Sequence, residues 1–89
     1  MSEDVGLAKR YFANRAKLID DLAARDEDFR DLCRDFATAE ELRETWARSP
    51  APERDERYAE CAELVESLRI EIETALDNTA IIPFPRSRK

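Results

Sequence analysis

Glycine occurs once in this 89-residue chain, at Gly6. A sheet protein reverses direction often between short strands, and those turns draw on glycine at backbone angles that other residues resist. A chain this poor in glycine, rich in Ala, Glu, Arg and Leu and sparing with β-branched residues, is expected to be all-α.

The apolar periodicity divides the chain into three helical segments and a tail. Val5, Ala8, Phe12, Ala16, Ile19 and Leu22 recur at spacings of three and four, with Tyr11 and Leu18 widening the stripe, and predict an amphipathic helix over 4–25. Asp26 is a good N-cap, and the acids after it suit the positive end of a new helix dipole. A second helix is expected over 27–48, with Phe29, Leu32, Phe36, Ala39 and Trp46 on its seam, Cys33 and Leu42 beside it, and Arg43 polar within it. The heptad spacing from Leu18 and Leu22 through Phe29 also allows one continuous, bent helix. Ser49-Pro50-Ala51-Pro52 is the clearest turn, with Pro52 suited to open the next helix. The third helix, over 52–77, carries Tyr58, Cys61, Val65, Leu68, Ile72 and Ala75 on its seam. The expected architecture is an antiparallel helical hairpin plus an N-terminal helix, bundle-like or coiled-coil-like, in one domain over 1–77. Residues 78–89 form a non-helical tail, apolar through Ile82 and Phe84 and then basic through Arg86 and Arg88.

Ile19-x-x-Leu22-x-x-x-Asp26-x-x-Phe29-x-x-Leu32-x-x-x-Phe36, followed by Leu68-Arg69-Ile70-Glu71-Ile72 and Leu76, resembles the YdcH-like proteins, which are short bacterial helical hairpins. The likeness covers roughly residues 19–76. Two features depart from the family pattern: the second helix is acidic at Glu60, Glu63 and Glu66 where the family is Lys-rich, and the Ile-Pro-Phe-Pro tail is additional. The family has no established activity, so the resemblance implies the hairpin and supplies no site residue.

Composition removes many functions. There is no histidine, hence no Ser-His-Asp or Cys-His nucleophile and no His-ligated metal or haem. A single glycine cannot build a phosphate-cradling loop. No catalytic residue, metal or cofactor is therefore expected, and the chain reads as a non-enzyme. Fifteen Lys and Arg are interleaved with 21 Asp and Glu, for a net charge of −6. That balance disfavours nucleic acid and anionic membranes as main partners. No apolar run approaches the ~20 residues that span a bilayer, and the acidic start lacks a signal-peptide core, so a cytoplasmic protein is expected. Glu53, Glu56, Glu60 and Glu63 line one helical face and are expected to be solvated.

In that compartment Cys33 and Cys61 are expected to be reduced and inert. The hairpin register sets them ~9 Å apart along the axis, beyond the ~7 Å that a disulfide allows.

The leading expectation is a helical interaction protein in which Phe29, Phe36, Trp46, Val65, Leu68 and Ile72 carry folding and assembly. A homodimer is favoured, with a further, unidentified protein partner. The junction at 25–28 has no Gly or Pro, so the first helix is expected to project and to be covered by a second copy; a monomeric three-helix bundle is the rival. The alternative is an accessory nucleic-acid-associated factor using the basic tail. Ile82, Phe84, Arg86 and Arg88 are the contact candidates there, whether the tail is read by a partner as a polyproline-like strand, folds back on the helices, or stays unfolded.

Overall fold

A computed structural model describes residues 5–81. Those residues form four α-helices and one 3-10 turn, with no strand among them. They are α1 (Gly6–Tyr11), the 3-10 turn Ala13–Arg15, α2 (Ala16–Arg25), α3 (Glu27–Ala47) and α4 (Arg54–Ile81). No helix among the described residues is long and apolar enough to cross a membrane.

The centre of the fold is the antiparallel hairpin of α3 and α4, as the periodicity indicates. Asp26 opens α3 from an extended conformation, and its carboxylate accepts the Phe29 backbone N–H at 3.2 Å. Glu27 and Asp28 occupy the first turn, where negative charge meets the unpaired N–H groups of the helix end. At the other end the chain leaves α3 through Ser49, whose backbone N–H reaches Trp46 O at 3.1 Å. The Arg54 guanidinium returns to the Ala47 carbonyl at 3.2 Å and satisfies one of the orphan acceptors of α3.

Three expectations are corrected. The first helix is not continuous over 4–25: it breaks at Phe12, where φ −117° and ψ 58° leave the helical region. The Lys9–Asp20 ion pair closes across this corner at 2.9 Å; in one straight helix those residues would stand ~16 Å apart along the axis. What drives the bend is burial. Val5 and Ala8 before it, and Ile19, Leu22 and Ala23 after it, all join one core with Phe29, Phe36, Ile72 and Leu76.

Nor does the N-terminal segment project. It folds back at Asp26 so that α1 lies against α3, with the Tyr11 ring edge-on to Phe36 at 5.1 Å and 87°. The corner at Arg15 meets α4, where the guanidinium bonds Asp77 at 2.6 Å. One extended aspartate suffices for the reversal, without glycine or proline, because φ −132° is open to any residue. The apolar face of the segment is thus covered within the chain.

The third correction concerns α4. It begins at Arg54 rather than at Pro52, and it continues past Asp77 to Ile81, so residues 78–81 are helical rather than part of the tail. Along the helix surfaces Arg48 pairs with Glu44 at 3.8 Å, Arg57 with Glu60 at 2.9 Å and Lys17 with Asp21 at 3.4 Å.

Candidate functional site

Among the described residues the most deeply placed charge is Glu40, on α3, only 7 % exposed. A buried carboxylate is costly unless it is paired and hydrogen-bonded, and here it is both. Arg43, one helical turn on, places Nη2 2.6 Å from Oε1 and 2.8 Å from Oε2. From α1 the Tyr11 hydroxyl donates to Oε2. That bond, with burial second, raises the Tyr11 hydroxyl above the usual tyrosine range. The cluster borders an open groove of about 770 Å³ between α1 and α3, edged by Leu7, Arg10, Ala37 and Glu44. Both Glu40 oxygens are occupied by donors held in place by packing. The arrangement ties α1 to α3.

A different face is chemically open. α1 and α2 cover one side of the hairpin, while elsewhere α3, α4 and Asp26 line two hollows that meet at Asp35. In the turn-proximal hollow, of about 240 Å³, Thr38, Ala39 and Leu42 face Leu64 and Leu68. Leu42 is 46 % exposed and Leu64 48 %. Past Asp35, which borders both, the second hollow, of about 410 Å³, lies between Phe29, Leu32 and Ala75, with carboxylates at Asp26, Asp28, Asp31 and Glu71. Asp31 is paired with Arg34 at 2.6 Å.

The structure separates the residues singled out from sequence into three groups. Phe29, Phe36, Val65 and Ile72 are buried within the chain's own core, while Trp46 and Leu68 are partly buried. Ile82, Phe84, Arg86 and Arg88 lie outside the described residues. Glu53, Glu56, Glu60 and Glu63 are all exposed, and the described residues hold no group of three potential metal ligands. Sequence reasoning missed Glu40, Tyr11 as its partner, and the pairing of Leu42 with Leu64 across the hairpin. A Glu40–Arg43 pair at i,i+3 within the apolar seam is the signal that could have found the first of these.

No protein-family model, curated protein or solved structure matches the chain.

Both cysteines are free thiols; Cys33 is fully buried and Cys61 partly so. Burial pushes the Cys33 thiol up from 9.0 to about 12. The folded state therefore keeps a proton that the unfolded chain loses, so stability falls as pH rises from about 9 toward 12. The slope contributed is at most ~1.4 kcal/mol per pH unit. Urea denaturation at a series of alkaline pH values should show this fall, and Cys33→Ala should remove that part of it. At neutral pH a thiol reagent should label Cys61 in the native protein and Cys33 only in denaturant. Labelling of both at equal rates would place Cys33 at the surface.

Proposed function

We propose that this is a small, non-catalytic interaction protein, which self-associates and binds a protein partner through the uncovered face of α3 and α4. The observation that carries the reading is the facing pair Leu42 and Leu64, each about half exposed across one apolar groove. Adjacent large apolar side chains left in water are a common mark of an interface. A two-fold pairing, the commonest closed arrangement, sets the same patch on itself. The first helix packs on α3 and does not project, so self-association would draw on this face alone. Carboxylates at Asp28, Asp35 and Glu71 along the same face repel phosphate, which counts against nucleic acid as the partner there.

Light scattering over a micromolar concentration series tests it. The wild-type mass should rise from the 10.3 kDa monomer toward twice that value. Leu42→Lys combined with Leu64→Lys should weaken association at least about tenfold, roughly 1.4 kcal/mol, with helical content by circular dichroism unchanged. A wild-type mass fixed at the monomer over the whole series would overturn the self-association.

A further inference from the structure

The acidic half of the open face points to an occupant different from a second copy. Its floor is apolar, formed by Phe29, Leu32 and Ala75, and its rim carries Asp28, Asp35 and Glu71 besides the capping Asp26 and the paired Asp31. No Lys or Arg lines it. A fitting ligand is therefore a peptide segment that carries apolar side chains together with several cations.

We propose that the occupant is the chain's own residues 82–89, bound in cis. Their composition supplies both: Ile82 and Phe84 are apolar, and Arg86, Arg88 and Lys89 are cationic. Their point of departure is also right. Ala75 borders the groove beside Asp26 and Asp28, and α4 continues from there to Ile81, an overhang of about 9 Å. Eight extended residues span up to about 26 Å. After returning past the overhang, roughly 17 Å of chain remains. The carboxylates from Asp28 to Asp35 occupy only about 11 Å along α3. In this register residues 82 and 83 return along the overhang, Phe84 reaches the apolar floor beside Ala75, and Arg86, Arg88 and Lys89 meet Asp28, Asp35 and Glu71. Leu42, about 21 Å along α3 from Asp28, lies beyond the reach of the segment. The inference goes beyond the self-association reading and stands or falls separately: particle mass reports on that one, and the contacts of Lys89 report on this one.

The test uses the full wild-type chain and a zero-length carbodiimide cross-linker, which joins an amine to a carboxylate in direct contact. Lysine occurs only at Lys9, Lys17 and Lys89, so the products are readily assigned by mass spectrometry. Mixing isotopically labelled with unlabelled chains separates intrachain from interchain links. Lys89 should link within the chain to Asp28, Asp35 or Glu71, and the yield should fall at least about fivefold in 1 M salt, where screening acts within ~3 Å. Asp28→Asn, Asp35→Asn and Glu71→Gln together should abolish these links while the Lys9–Asp20 link persists as the control for folding. Lys89 links confined to Glu73 or Asp77, or none at all, would overturn the proposal. Links to the same groove carboxylates found only between chains would overturn the cis occupant.

Discussion

Phe36→Ala should cost about 3–5 kcal/mol of folding stability, the loss typical of a buried aromatic ring reduced to a methyl group. Phe36 is completely buried, at the point where the hairpin and the N-terminal segment meet. Its ring touches Tyr11 edge-on, so the substitution also loses a ring contact worth about 0.5–1.5 kcal/mol beyond area. A cavity there cannot collapse easily, because the neighbouring buried residues belong to different helices. In a chain of this size such a loss is a large part of the total stability. The expected result in urea is a midpoint near zero denaturant, or a partly unfolded protein in buffer. Leu68→Ala makes the comparison, since Leu68 is only partly buried and should cost clearly less. Equal losses at the two positions would show that the core is not centred on Phe36.

Glu40→Ala comes second, at about 1–3 kcal/mol. The substitution strands the Arg43 guanidinium and the Tyr11 hydroxyl, and breaking a buried pair from one side leaves the partner's desolvation uncompensated. Arg43 is 26 % exposed at its side chain, so water relieves part of that penalty and keeps the loss below the 3–5 kcal/mol of a fully buried pair. Tyr11→Phe, which removes one neutral donor, should cost about 0.5–1.5 kcal/mol. Because both changes break the same hydrogen bond, the double variant should lose less than the sum of the single losses. Strict additivity in urea denaturation would mean that the Tyr11–Glu40 bond contributes nothing to the folded state.

The hairpin was legible because its signals are local. Asp26 before Glu27 and Asp28, Pro50 and Pro52 after Ser49, and the spacing from Phe29 to Phe36 each act within a few residues, and each corresponds to a feature of the structure. The corner at Phe12 was not legible, because no residue there compels a break. It forms because Val5 and Ala8 gain burial against α3, a contact between parts of the chain far apart in sequence. The reversal at Asp26 is hidden for a related reason: a junction without glycine or proline argues for a break but against a sharp reversal, although one extended residue is enough. Trp46 could not be assigned from spacing to interface or core, and it lies between the two, partly buried at the end of α3. The site residues were the least legible. Leu42 and Leu64 each flank a stripe, and only the placement of α1 and α2 on the opposite side of the hairpin leaves them facing water together.

Six residues make fewer than two turns, well short of the ~12–15 at which an isolated helix becomes marginally stable in water. The helical form of α1 is therefore borrowed from its dock on α3, and detachment and unwinding of α1 are one event. The molecule has two clocks in consequence. Backbone amides of residues 6–11 should exchange with solvent through frequent small openings, while those of α3 around Phe36 wait for rarer opening of the hairpin.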